Sequence, residues 1–238
     1  MLYKYETHCH ANLCSKCAHS TPQELVRAYK TAGFSGLALT DHFIHGYTSV
    51  DQSLPWEQRM QRYYDAYLEA KAEGDQLDFD VIFGIEHAYG GGQEVLVYGI
   101  DLQFLLDHPQ IETASLEKFT RLVHEYGGIL IQAHPYRYGG WEVPVRLELI
   151  DGIEVYNTGN EPLKNRMALQ KAQERPCILT SGADTHAASE ARIGQAGIAL
   201  PYRISTSQAL VQALRNGDHR CIINGQIVPQ VTERSLGD

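Results

Sequence analysis

The 238-residue chain carries 20 basic and 29 acidic side chains, a formal net charge of −9, with 43% hydrophobic and 21% charged residues. That balance suits a globular protein and argues against broad electrostatic capture of long nucleic acid or an anionic membrane, while a bound metal can still reverse the potential locally for a small anionic substrate. No apolar run approaches the roughly 18 residues of a membrane span, and the opening MLYKYETH lacks a leader's apolar core, so a cytoplasmic protein is expected.

A short strand is expected at Tyr3 to Thr7, leading into the loop HCHANLCSKCAH. Ser20 or Thr21 caps a helix with Pro22 in its first turn and Glu24 completing a capping box, and the helix ends at Gly33. GLALTD reads as a compact strand, and a second helix opens at Pro55 and closes at Gly74. FDVIFGIEH and EVLVYGI are strands separated by the glycine turn AYGGGQ. Then come a helix in SLEKFTRLVHEYGG, strands in GILIQAHP and DGIEVYN, a helix in EPLKNRMALQKAQER and a strand in CILTSGADTH. GIAL, a helix around SQALVQALRNG and the segment RCIIN complete the pattern. Strands alternating with helices imply an α/β protein with a mostly parallel sheet or barrel. No repeat, low-complexity tract or linker interrupts it, so residues 1–238 are expected to form a single domain.

The polar residues recur in one place. ETHCH, LTDH, GIEH, QAHP, EVYN and GADTH each stand where a hydrophobic strand gives out. In a parallel α/β barrel those ends converge on one face, where active sites are built. His8 and His10, two apart on a strand, point the same way and suit one ion, and Asp184 and His186 repeat the spacing. Glu86 can bridge two ions, while His42 and His134 each add a nitrogen. Mixed imidazole and carboxylate donors suit zinc, manganese or iron. Such ions supply a bridging hydroxide near neutral pH and neutralise phosphoryl oxygens.

HCH, GLALTDHF, GIE, AHPYR, DGIEVYN and SGADTH, in that order, resemble the motifs of the polymerase and histidinol phosphatase (PHP) superfamily of metal-dependent phosphoesterases. The resemblance implies a distorted (β/α)7 TIM-like barrel with two or three divalent ions (Zn, Mn or Fe) at the strand C-termini. It also implies that His8, His10, Glu86 and Asp184 hold the first ion, that Glu86 and His134 share the second, and that His42 and His186 hold the third. Glu86 and Asp184 then carry the catalytic centre. The resemblance further implies that Arg137 grips the substrate phosphate, consistent with the fork geometry of a guanidinium. Two positions depart from the family pattern. The loop NLCSKCAH offers Cys17 or His19 where many members have His or Asp, and Glu94 stands where many have a metal-binding His.

The reaction implied is hydrolysis of a small phosphomonoester, such as histidinol phosphate or a nucleotide. An amidohydrolase-type reaction on a non-phosphate substrate and a non-catalytic, metal-stabilised binding protein are the alternatives. Asn157 is a candidate for hydrogen bonding to substrate, and His45 for lining the entrance. His108, His124 and His219 carry no role, and His87 points away from Glu86 into packing. The CSKC pair also permits a structural zinc clip, although no second ligand pair of that type appears, and a redox CxxC would need a helix start that comes only at STPQE. Cys177 and Cys221 read as buried hydrophobes.

Overall fold

The computed structural model describes residues 2–138 and 145–237. In chain order the elements are β1 (Tyr3–Cys9), α1 (Pro22–Thr31), β2 (Gly36–Leu39), α2 (Trp56–Leu77), β3 (Asp80–Phe83), β4 (Ile85–Gly90), β5 (Gln93–Tyr98), α3 (Leu102–Asp107) and α4 (Leu116–Tyr126). There follow β6 (Ile129–Gln132), β7 (Gly152–Asn157), α5 (Pro162–Ala172), β8 (Ile178–Gly182), β9 (Ala196–Leu200), α6 (Ser207–Asn216), β10 (Arg220–Ile223) and β11 (Gln226–Ile227).

Local chemistry sets many of these boundaries. Thr21 is the N-cap of α1: its hydroxyl accepts from Glu24 N at 3.2 Å, and Glu24 Oε2 accepts from Thr21 N at 2.9 Å. The second helix does not stop at Gly74 but runs to Leu77 and ends on Asp78 in the left-handed region. Gly74 is there for contact rather than termination: a Cβ on it would lie 2.5 Å from the Phe79 carbonyl and 2.9 Å from Val81 Cγ2. The β4–β5 hairpin turns through Gly90, Gly91 and Gly92, at φ of 114°, 59° and 73°.

The strands form two sheets, ordered β11-β10-β9-β1-β2-β3 and β4-β5-β6-β7-β8. Pairing is parallel through β1–β2–β3 and through β6–β7–β8. It is antiparallel for β5 against both neighbours and for the run β1–β9–β10–β11. The expectation of a mostly parallel arrangement is therefore not met: the parallel runs each lie at one side of a sheet, antiparallel pairs slightly outnumber parallel ones among the described residues, and the fold is a mixed α/β one. Short turns account for the antiparallel β4–β5 and β10–β11 pairs, whereas β5–β6 and β9–β10 are antiparallel in spite of the helices that connect them.

The sheets meet at two seams, both at strand ends. At one, Cys9 bridges Thr185 in parallel, with His10 N donating to Thr185 O at 2.9 Å. At the other, His42 bridges Glu86, with Glu86 N donating to Asp41 O at 3.1 Å and Phe43 N to Glu86 O at 2.8 Å. Leu25, Phe43, Met60 and Phe104 belong to one buried apolar cluster, and Tyr5, Ile82, Leu96, Tyr98 and Ile131 to a second. Among the described residues no helix is long and apolar enough to cross a membrane.

Candidate metal centre

The seams bring the polar strand ends together at a cleft of about 1070 Å³. Four sets of three side chains there offer donor atoms within 4.8 Å of one another: His8, His10 and Asp184; His8, Glu86 and His134; His42, Glu86 and Glu94; and His10, His42 and His186. The sets interlock through His8, His10, His42 and Glu86.

Most of their spacings suit ligands of common ions, while His134 Nε2 lies 2.9 Å from Glu86 Oε1 and His42 Nδ1 2.7 Å from Glu86 Oε2, at hydrogen-bonding distance. His8 Nε2 lies 3.1 Å from Glu86 Oε1 and 3.4 Å from Asp184 Oδ1, and His10 Nε2 lies 3.1 Å from Asp184 Oδ1. His134 Nε2 is 3.4 Å from Glu94 Oε2. Two donors each ~2.1 Å from a common ion stand about 3.0 to 3.4 Å apart at octahedral or tetrahedral angles. Although buried, His8 Nε2, His10 Nε2, His42 Nδ1 and Glu86 Oε2 have no hydrogen-bond partner among the described residues. Buried polar atoms left in that state are uncommon, and here they converge. The donor set thus fits divalent ions.

The atoms behind the cluster fix which nitrogen is free. Glu154 Oε1 accepts from His8 Nδ1 at 3.0 Å, so the Nε2 lone pair faces Glu86 and Asp184. The Asp184 carbonyl accepts from His186 Nδ1 at 2.8 Å, leaving its Nε2 free as well. Ser15 donates to Asp41 Oδ1 at 2.7 Å and so accepts from His10 Nδ1 at 3.3 Å. Glu154 Oε2 also accepts from His134 N at 2.9 Å and from Asn157 Nδ2 at 2.8 Å. His134 and Asp184 both take positive φ, 23° and 53°, uncommon among non-glycine residues, although aspartate and histidine adopt it more readily than most.

Electrostatics reflect this crowding. Burial raises the cost of charge on Glu86 and Asp184, yet nearby imidazoles, with Arg137 beside Asp184, outweigh it and hold both carboxyls well below the ordinary range. Burial likewise opposes charge on His8, but Asp184, Glu154 and Glu86 hold it well above the usual imidazole value. Burial, then the Glu86 charge, pushes Glu94 up to about 7.

Of the residues singled out in the sequence, His8, His10, His42, Glu86, Glu94, His134, Asp184 and His186 come together in these sets. Cys17 and His19 belong to none of them, but they differ. The Cys17 thiol is within hydrogen-bonding reach of His186 and His42, which against the effect of burial bring it down to about 7, whereas His19 lies exposed at the cleft rim. Cys14 faces elsewhere, buried with its thiol donating to the Arg62 carbonyl at 3.5 Å. The CSKC cysteines therefore do not face one site, and neither a shared zinc clip nor a redox pair fits. His45 stands at the rim, its Nε2 donating to the Glu112 carbonyl at 2.6 Å.

Arg137 lines the cleft and is held by Asp184 Oδ2, by Asn157 Oδ1 at 2.6 Å and by Asn160 Oδ1 at 3.0 Å. Asn157 corrects the sequence reading: it is fully buried and does not line the cleft. Its amide is spent between Glu154 and Arg137, so it supports the arginine instead of meeting substrate.

Three supporting residues escaped the sequence reading. Glu6 Oε1 accepts from Thr7 N, His8 N and Ala183 N at 3.0, 2.8 and 2.9 Å, tying the ends of β1 and β8 together. Burial pushes its carboxyl up to about 7 despite those bonds. Asp41 and Ser15 brace His10, and only the position of Asp41 beside His42 hinted at it.

The family model for the PHP domain matches residues 6–176. The chain belongs to the PHP domain family. No curated protein sequence matches it. Among solved structures, this PHP protein resembles a two-domain protein from Bacteroides vulgatus containing a predicted PHP-like metal-dependent phosphoesterase (TM-score 0.68, 16% identity, covering 97% of this chain and 67% of that one). It also resembles a lesion-specific endonuclease from Pyrococcus furiosus (0.63, 13%, covering 94% and 58%) and a sulfate-bound amidohydrolase from Chromobacterium violaceum (0.59, 17%, covering 88% and 96%). At these identities the likeness speaks for the fold alone.

Proposed function

We propose that the chain is a metal-dependent phosphoesterase acting on a small phosphomonoester, a single domain whose two sheets, hydrogen-bonded at both seams, make a distorted (β/α)7-type barrel. The observation that carries the reading is the interlocked donor set, with buried imidazole nitrogens left unpartnered where they converge. His8, His10, Glu86 and Asp184 would hold one ion, Glu86, His134 and Glu94 a second, and His42, His186 and Cys17 a third. Thiolate and imidazole at the third position favour zinc or iron over magnesium. When bound, the ions supply water activation at neutral pH and neutralise charge on phosphoryl oxygens.

The chain's own residues do the rest. Glu154, Ser15 and the Asp184 carbonyl keep the proton of His8, His10 and His186 on Nδ1. Arg137, held by Asn157 and Asp184, presents its remaining N–H groups to the phosphate. His45 flanks the entrance. An amidohydrolase-type reaction is the second reading, favoured by the likeness to the Chromobacterium violaceum amidohydrolase. Net charge of −9 speaks against long nucleic acid, and the endonuclease neighbour speaks for testing short strands.

The test is release of inorganic phosphate from a phosphomonoester panel by metal-loaded protein, with amide and carboxyl-ester substrates alongside. Phosphate release that falls by at least about a hundredfold in Glu86→Gln and His134→Ala supports the reading. Turnover of amides alone would replace it with the second.

A further inference from the structure

Arg192 belongs to none of the motifs that the sequence brought forward, yet it lines the cleft from the loop between β8 and β9. Its Nη1 donates to the Asp184 carbonyl at 3.1 Å, and its Nε lies 2.6 Å from Glu190 Oε2. Its Nη2 has no hydrogen-bond partner among the described residues. Arg137 reaches the same place from the loop after β6. A Cβ on Gly159 would stand 2.8 Å from Arg137 Nη2 and 3.3 Å from Arg192 Nη1. Two guanidiniums thus meet over a residue with no side chain, and both are anchored to Asp184, one through its carboxylate and one through its carbonyl.

Two like charges brought together repel one another, and each faces one carboxylate, Arg192 that of Glu190 and Arg137 that of Asp184, which the histidine cluster shares. Asp184 turns its other oxygen, Oδ1, toward His8 and His10. An anion drawn to the Asp184 side of the cluster therefore meets both guanidiniums at once. A terminal phosphate carries a second negative charge near pH 7 and a third non-bridging oxygen, which match a second fork. A phosphodiester has neither.

We propose that Arg192 and Arg137 together grip the terminal phosphate of a phosphomonoester, which makes Arg192 the residue that selects a monoester over a diester. The proposal rests on the phosphoesterase reading and specifies its substrate class.

The experiment has two readouts on the metal-loaded protein: calorimetric binding of inorganic phosphate, and kinetics on p-nitrophenyl phosphate and bis(p-nitrophenyl) phosphate. Arg192→Gln should weaken phosphate binding about tenfold or more, the loss of one charge-assisted hydrogen-bonding fork. Its kcat/KM on the monoester should fall by a similar factor, carried more by KM than by kcat, while the diester loses less. Arg192→Lys should recover part of the affinity, because it restores charge without the fork. Gly159→Ala, which keeps both arginines but pushes them apart, should also weaken phosphate.

Unchanged phosphate affinity in Arg192→Gln and Gly159→Ala would overturn the proposal. So would equal losses on both esters accompanied by loss of metal, since Arg192 would then merely clasp the Asp184 strand end. If the wild type cleaves neither ester, the phosphoesterase reading fails, and the binding comparison still decides whether the two arginines form an anion receptor.

Discussion

Replacing Glu154 with Gln probes how the fold prepares the metal cluster. The carboxylate is fully buried and accepts three hydrogen bonds: from His8 Nδ1 at 3.0 Å on Oε1, and from His134 N at 2.9 Å and Asn157 Nδ2 at 2.8 Å on Oε2. A glutamine has one oxygen and one NH2. With its oxygen toward His8, the NH2 opposes two donors that cannot change, the His134 amide and the Asn157 side chain. With its NH2 toward His8, only one donor is opposed, and that one can move its proton. The second arrangement is therefore favoured. It forces His8 into the tautomer with hydrogen on Nε2, the atom facing Glu86 and Asp184 at 3.1 and 3.4 Å. Loss of such a support weakens metal affinity by about 10- to 100-fold, or about 1.4 to 2.7 kcal/mol. Competition with a chromophoric chelator measures the affinity, and metal binding weakened by that factor in a folded variant is the expected result. Wild-type affinity in a folded variant would refute the reasoning.

Other perturbations test separate links. Ser15→Ala leaves His10 Nδ1 without its acceptor and Asp41 Oδ1 without one donor, so denaturation should show a loss of about 1 to 3 kcal/mol. Cobalt-loaded wild type and Cys14→Ser should both show thiolate-to-cobalt charge-transfer absorption, and Cys17→Ser should not; survival of the band in Cys17→Ser would remove Cys17 from the third site. Gly74→Ala should destabilise by about 1 to 3 kcal/mol in urea melts in spite of alanine's helix preference, because its Cβ meets the Phe79 carbonyl at 2.5 Å. His87 is packed against Phe119 with ring centroids 4.3 Å apart, and burial lowers its pKa to about 3. Below about pH 6.5 the unfolded chain takes up a proton that the folded one refuses, so stability is present above that pH and lost as pH falls toward 3. At pH 5 the loss is about 2 kcal/mol, and the difference in urea midpoints between wild type and His87→Phe, metal-free, should grow as pH drops.

The strand-end motifs were legible because a metal ligand has to stand where a strand stops, and period-two spacing says which residues share a face. That logic brings out His8, His10, Glu86, His134 and Asp184 from the sequence alone. Helix starts were equally local, as the Thr21–Glu24 capping box illustrates. What escaped depends on contacts distant in sequence. Gly74 looked like a helix end, since its real reason is the return of the chain at Phe79. Asn157 looked like a substrate contact, because only the fold reveals that Arg137 and Glu154 already occupy its amide. Glu6 sits in plain view in ETHCH, but its value lies in joining β1 to Ala183, far along the chain. Antiparallel β9 was hidden because a loop without a helix carries no mark of its return direction.

The central claim is tested most directly by titrating metal-free protein with Mn2+ or Zn2+ while following phosphate release from a phosphomonoester. Turnover should be absent without metal, rise with added ion and saturate at two to three equivalents per chain, and be absent in Glu86→Gln at any loading. Phosphate release that ignores metal, or a fully loaded wild-type protein that releases no phosphate from any monoester, would contradict it.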